Sequence, residues 1–166
     1  MFERYTEKAR RVIFFARYEA SQFGSPYIES EHLLLGLLRE QEGLAARTLH
    51  DLGLDEARVR DDVVARDGRR DPLAAGRLPF APLARDALVG AQTWADRWGH
   101  PTIGTEHVLV GVLDEPGSVA VRLLADSGHA PAAVAEELCA AIGFSDPADE
   151  AGRLAPPSPE PDERTS

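Results

Sequence analysis

The segment Ile28-Glu29-Ser30-Glu31-His32-Leu33-Leu34-Leu35-Gly36-Leu37 returns 75 positions later as Ile103-Gly104-Thr105-Glu106-His107-Val108-Leu109-Val110-Gly111-Val112. The same shift aligns residues 5–54 with 80–129 without a gap, and 18 of those 50 positions are identical. Among them are Ala16/Ala91, Gly24/Gly99, Pro26/Pro101, Glu31/Glu106, His32/His107 and Gly36/Gly111. A gapless self-match of that length signals a duplication. It predicts two similar units related by a pseudo-two-fold axis.

Working outward from this block, each unit reads as four helices. In the first unit, Thr6 is a fair N-cap with Glu7 in the first turn. Apolar residues then fall at helical spacing at Ala9, Val12, Ile13, Ala16, Ala20 and Phe23, and Gly24 stops the helix as a left-handed residue. Ser30 is read as the cap of the second helix, which runs through Leu33, Leu34, Leu37 and Leu38. A third helix spans about Leu44 to Leu52 and stops at Gly53. A fourth begins near Asp55 and carries Val59, Val63 and Val64. In the second unit, Pro82 suits a first turn. The stripe Leu83, Ala84, Ala87, Leu88, Ala91, Ala95 and Trp98 precedes Gly99. Thr105 and Ser118 are read as caps, Gly128 as a stop, and Pro131 as the start of a last helix ending before Gly143. No segment alternates as a strand would.

The expected fold is therefore all-α, an eight-helix bundle of two tandem four-helix repeats in one domain over residues 1–144. Repeat one covers about 1–66 and repeat two about 80–144. The linker is 67–79, and its charged run Asp67-Gly68-Arg69-Arg70-Asp71-Pro72 is expected to be mobile. Residues 145–166 are rich in Pro, Glu and Ser and have almost nothing to bury, so a disordered tail is expected there.

Composition narrows the function. The net charge is −10, with six acids and two arginines in the 145–166 tail. A nucleic-acid partner needs clustered Lys and Arg, so none is expected. No stretch approaches the roughly 18–20 apolar residues that span a bilayer, and Met1 to Arg11 is charged rather than signal-like. With Cys139 the only cysteine, there is no disulfide framework and no cysteine-based zinc site. A cytoplasmic protein is the simplest expectation. Lys8, the only lysine, follows Glu7 and precedes Ala9. A phosphate-binding loop needs a lysine before Ser or Thr in a Gly-rich turn, so no ATP site or other cofactor is expected.

At Phe2-Glu3-Arg4-Tyr5-Thr6 and at the two blocks quoted above, the chain resembles the Clp N-terminal repeat domains, nearest to the ClpC branch. The resemblance covers about residues 1–144. It implies a compact eight-helix, non-catalytic module that binds adaptors and substrates of Clp unfoldases. In the absence of ATPase motifs, it points to the small stand-alone Clp N-domain proteins of actinobacteria, which would deliver or sequester ligands. In ClpC-type relatives each repeat has a pocket for phosphorylated arginine. Carried over position by position, the ligand-binding residues would be Ser30 and Glu31 in repeat one and Thr105 and Glu106 in repeat two. The implied partners are arginine-phosphorylated proteins or Clp adaptors and the ATPase itself.

Residue chemistry supports two readings of this block. A helix start gathers free N–H groups and a positive dipole end, which favour a phosphoryl group. The Ser or Thr hydroxyl adds a donor, and the next carboxylate is a natural partner for a guanidinium. The plainer reading is that Ser/Thr followed by an acid is ordinary capping chemistry. Glu29 stands where the family has Gly, and a carboxylate there would oppose a phosphate. Site two, Gly104-Thr105-Glu106, keeps the pattern and is expected to bind better.

His32 and His107 have no i, i+4 partner of the zinc-protease kind. A hydrogen bond to their own repeat's backbone is the expected role, with no metal. A hydrolase using Glu106 and His107 is the least favoured function. Phe2, Tyr5 and Phe80 are either helix-entry staples or, as the resemblance implies, the lining of a groove for adaptors and macrocyclic peptides. In that alternative the protein is a pure protein–protein adaptor with no phosphoarginine binding. Trp94 replaces Glu19 of the first unit and would favour partner contact if exposed. Pro116 is expected to reshape the turn after the sixth helix.

Overall fold

The expected caps and stops set most of the helix boundaries. The Thr6 hydroxyl accepts from the Ala9 N–H at 3.1 Å, Asp55 from Ala57 at 2.8 Å, and Ser118 from Val121 at 3.3 Å. Pro82 and Pro131 occupy first turns, where a missing N–H costs nothing. In this computed structural model, residues 1–74 and 76–143 are described. They form eight helices: α1 Glu7–Gln22, α2 Ser30–Glu40, α3 Leu44–Asp51, α4 Glu56–Asp67, α5 Pro82–Arg97, α6 Thr105–Leu113, α7 Val119–Asp126 and α8 Pro131–Ile142. The tail expected to be disordered lies outside the described residues. None of these helices is long and apolar enough to cross a membrane.

The core is built on α2 and α6. All five α2 leucines (Leu33, Leu34, Leu35, Leu37 and Leu38) are completely buried, as are Val108, Leu109 and Val112 of α6. At roughly 1.5–3 kcal/mol for each fully buried side chain of this size, these two short helices carry much of the hydrophobic stabilisation. α1 lies on α2 and α5 on α6 at very short range. A Cβ added at Gly36 would sit 2.5 Å from the Val12 carbonyl oxygen, and one at Gly111 2.1 Å from that of Ala87. These paired glycines are a packing requirement, since any side chain would push the crossing helices apart.

The two repeats exchange their entry segments. Tyr5 pairs in parallel with Ile103, and Phe80 with Ile28. Thr6 N–H donates to the Ile103 carbonyl at 3.0 Å, and Ile103 N–H to that of Arg4 at 2.9 Å. The counterparts are Ala81 N–H to Ile28 at 2.9 Å and Ile28 N–H to Pro79 at 2.8 Å. Every one of these contacts maps onto its partner by the 75-residue shift.

Several expectations need correction. Ser30 and Thr105 do not cap their own helices. Glu29 and Gly104 hold the cap positions, with extended backbone, and Ser30 and Thr105 are the first helical residues. Trp94 is not a surface residue: it is 5 % exposed, and its indole N–H donates to Asp114 Oδ2 at 2.6 Å. Its repeat-one counterpart, Glu19, is also buried, against Arg39 and Arg60. One repeat fills this position with an ion pair and the other with an aromatic ring. Leu83, assigned to the α5 stripe, is exposed, and Val64 is only half-buried. The linker is held rather than loose over its first part. Leu73 N–H donates to the Ser21 carbonyl at 2.8 Å, and a Cβ at Gly24 would meet the Asp71 carbonyl oxygen at 2.4 Å.

Pro116 does reshape its turn. Its counterpart, Gln41, caps α2 with a left-handed backbone, φ 69°. Proline cannot adopt positive φ, so repeat two cannot copy that cap. α6 ends at Leu113, whereas α2 reaches Glu40, the counterpart of Glu115. Left-handed backbone costs a residue with a Cβ on the order of 1 kcal/mol. Gln41→Gly should therefore stabilise the fold by about 1 kcal/mol in urea unfolding. Gly111→Ala should destabilise it by more than about 2 kcal/mol through overpacking at the α5–α6 crossing.

Candidate functional site

The two helix starts share a frame. Each histidine turns back on its own cap residue: His32 Nδ1 accepts from the Glu29 N–H at 2.9 Å, and His107 Nδ1 from the Gly104 N–H at 2.8 Å. This is the backbone role expected of them, a capping box with imidazole in place of Glu or Gln. Both rings are buried, and burial, their leading perturbation, lowers each pKa to about 4. They are neutral at physiological pH, so the 3.6 Å approach of Glu106 to His107 is not an ion pair.

The two hydroxyls cross between repeats. Ser30 Oγ accepts from the Ala120 N–H of α7 at 3.1 Å. Thr105 Oγ1 accepts from the Ala45 N–H of α3 at 3.3 Å. Each repeat thus supplies a side-chain cap to a helix of the other, and both oxygens are buried in that role. What remains at each start for a ligand is the first-turn backbone and the carboxylate of Glu31 or Glu106.

Those carboxylates differ in setting, and so does the residue two positions before each. A Cβ placed on Gly104 would lie 2.5 Å from Glu106 Oε2. The bare glycine therefore leaves the space into which Glu106 folds, with its side chain 24 % exposed. In repeat one that space belongs to the Glu29 side chain, and Glu31 lies inward, 4 % exposed. Burial first, then the nearby charges of Glu29 and Asp67, push the Glu31 pKa up to about 7. A cavity of about 230 Å³ opens beside it, with Phe23, Glu29, His32, Asp67 and Arg70 on its walls.

Asp67 and Arg70 were not anticipated as site residues, because the linker read as mobile and charged. His100 was also missed, since it has no counterpart in the other unit. Its Nδ1 lies 2.8 Å from His107 Nε2. With Glu106 the two histidines place their potential ligand atoms within 4.8 Å of one another. The donor set does not suit a metal. Because His107 Nδ1 accepts a backbone N–H, its proton sits on Nε2 and points to His100. Coordination at Nε2 would move that proton to Nδ1, donor against donor.

The aromatic trio does meet, at the seam where the entry segments cross. The Phe2 ring is 4.9 Å from Tyr5 and 6.1 Å from Phe80. Tyr5 is buried, and burial raises its hydroxyl pKa to about 12. Phe2 and Phe80 are half-buried.

Comparison with known proteins places this geometry. The model of the Clp repeat (R) N-terminal domain matches residues 4–74 and again 79–163. The chain is 38 % identical over 145 residues to the chloroplastic chaperone protein ClpC of Pisum sativum, covering 87 % of this chain and 16 % of the pea protein. It is 37 % identical over 143 residues to chloroplastic ClpC1 of Arabidopsis thaliana, covering 86 % of this chain and 15 % of that one. The chain thus spans about one-sixth of the length of these relatives. Among solved structures, the N-terminal domain of the chaperone ClpD from Arabidopsis thaliana superposes with a TM-score of 0.73 at 23 % identity, covering 86 % of this chain and 96 % of that one. The Hsp104 N-terminal domain from Candida albicans gives 0.68 at 15 % identity, covering 86 % and 94 %. At these identities the structural matches show the fold alone.

The perturbed groups leave a signature in stability. His32 and His107 have pKa values near 4 in the fold, against 6.5 ordinarily. Glu31 has one near 7, against 4.5. Raising the pH from 4.5 to 6.5 removes histidine protons that only the unfolded chain holds, which stabilises the fold. The same rise removes the Glu31 proton from the unfolded chain while the fold keeps its own, which destabilises the fold. The two effects oppose, and Glu31→Gln should steepen the rise of stability with pH in this window by about one proton. Urea unfolding at pH 5 and pH 6.5 measures it. Ser30→Ala and Thr105→Ala should each cost about 1 kcal/mol through the lost cap on the opposite repeat.

Proposed function

The chain belongs to the Clp repeat N-terminal domain family, and from that premise we propose that it is a non-catalytic receptor of the Clp proteolysis system. It binds substrates or adaptors and delivers or sequesters them. Its ligand is the phosphoarginine side chain of marked proteins, held at the start of α6. Glu106 takes the guanidinium, and the first-turn N–H groups of Thr105 and Glu106 face the phosphoryl group. Thr105 contributes its backbone, because its hydroxyl is committed to α3.

One observation carries this reading. At Gly104 the helix start bears no side chain, and a part-exposed carboxylate folds over it. An anion-favouring helix end and a guanidinium-favouring acid therefore share one small surface, which matches the two opposite charges of a phosphoguanidine. At the start of α6 the chemistry does not favour the hydrolase reading built on Glu106 and His107. A hydrolase would need an acid or base titrating near neutral pH, whereas His107 is held neutral with both ring nitrogens engaged.

A second reading rests on the seam. Phe2 and Phe80 come from opposite repeats and meet at 6.1 Å, half-buried. A partner could lay an apolar side chain there, making the protein an adaptor for a Clp ATPase without phosphoarginine binding. A Phe2→Ala, Phe80→Ala double variant that loses a purified ClpC-type ATPase, in a wild type that ignores phosphoarginine, would favour it.

Calorimetric titration of phosphoarginine tests the leading proposal. Wild type should bind, and Glu106→Ala should weaken binding at least tenfold. No heat with wild type, or equal binding by the variant, removes the claim.

A further inference from the structure

Repeat one contains a buried carboxylate, Glu31, that forms no ion pair among the described residues. Glu19, 1 % exposed, lies against Arg39 and Arg60. Glu40, also buried, takes the Gly43 N–H on Oε2 at 2.6 Å and leaves Oε1 without a partner among the described residues. Glu31 is as deep as these; like Glu40 it forms no ion pair among the described residues, and beside a hydrogen bond from its own backbone N–H its side-chain partner is the Ser30 hydroxyl at a long 3.4 Å. A carboxylate in such a position is stable as an ion only when a cation and good hydrogen bonds replace its water.

The space beside it has the matching character. Three acids (Glu29, Glu31 and Asp67) and two arginines (Arg66 and Arg70) line the 230 Å³ cavity, so its walls balance while Glu31 is protonated and carry one net negative charge once Glu31 ionises. The arginines do not serve Glu31. Arg66 Nε is 3.7 Å from Asp67 Oδ1, and the Arg70 charge is felt at His32. The charges acting on Glu31 are those of Glu29 and Asp67, both negative. Phe23 adds an aromatic wall, stacked on His32 at 5.8 Å. A flat cation fits such a place better than a compact one, because it can stack on the ring and present paired N–H donors to a carboxylate.

A phosphoryl group fits it poorly. At repeat two a ligand meets Gly104, whereas at repeat one it meets the Glu29 carboxylate. The end of α4 places Asp67 on the same wall, and the linker residues Arg70 and Asp71 pack against Gly24. At Gly99, the counterpart of Gly24, an added Cβ meets nothing within 4 Å among the described residues.

We infer that the repeat-one cavity takes an unphosphorylated guanidinium side chain, such as an arginine in an unfolded segment, and disfavours phosphoarginine. The two halves then read two forms of one side chain. The inference rests on the reading of repeat two as the phosphoarginine site, but it concerns different residues. Glu31 receives the guanidinium edge-on, Glu29 and Asp67 supply the attracting field, and Phe23 supports the plane.

The test uses the full chain and two probes, N-acetyl-arginine methylamide and phosphoarginine, with binding followed by amide chemical shifts. Arginine methylamide should shift the signals of Gly24 and His32. Its affinity should fall at least tenfold in Glu31→Gln and severalfold in Asp67→Asn, and stay unchanged in Glu106→Gln. Phosphoarginine should show the reverse dependence on Glu31 and Glu106. In Glu29→Gly it should gain a second site. Glu29 and Gly104 share φ −95° with ψ 172° and −178°, so that substitution isolates the side chain. N-acetyl-lysine methylamide should bind at least tenfold more weakly than the arginine probe. Failure of the arginine probe to bind, or binding that survives in a folded Glu31→Gln, overturns the inference. So does phosphoarginine binding that depends on Glu31. Arginine binding at Glu31 with no phosphoarginine binding anywhere would instead uphold this site and overturn the reading of repeat two.

Discussion

Each half of this protein is completed by the other. The segment entering α1 pairs with the loop before α6, and the segment entering α5 pairs with the loop before α2. The hydroxyl that starts α2 caps α7, and the one that starts α6 caps α3. A backbone group buried without a partner costs about as much as a lost hydrogen bond, so none of these exchanges can be dropped cheaply. They fix α2 and α6 against each other. The candidate sites, which lie at the starts of those two helices, inherit their rigidity from the exchange.

Within that frame the two copies have diverged where the frame allows. Position 19/94 holds an acid with two arginines in one copy and a buried tryptophan in the other. Position 41/116 holds a left-handed glutamine in one and a proline in the other, and the helix before it changes length accordingly. Position 29/104 holds a glutamate or a glycine with nearly the same backbone angles. The third change matters most for function. Where the glycine stands, the carboxylate two positions on folds over the helix start; where the glutamate stands, that carboxylate is buried beside a cavity.

The architecture was legible because duplication repeats the punctuation. Thr6, Gly24, Gly53, Pro82, Ser118 and Gly128 mark boundaries through local backbone chemistry, which periodicity and spacing reveal. Two things were not legible. The partners of Ser30 and Thr105 lie 90 and 60 positions away, and a hydroxyl at a helix start looks the same whether it caps its own helix or another. The burial of Trp94 depends on Asp114 across the α5–α6 crossing, a contact that no spacing rule anticipates. At the sites, Glu31 and Glu106 were visible as a repeated pair, but their difference in exposure was not. That difference comes from Glu29 and from a linker whose charges read as solvated.

The reciprocal exchange is most directly tested by separating the halves. Residues 1–74 and 76–143 can be made as two chains and studied by circular dichroism and sedimentation, alone and mixed. Neither should fold cooperatively as a monomer, and mixing should restore helix in a one-to-one complex. A half that folds alone as a stable, cooperative monomer would contradict the account.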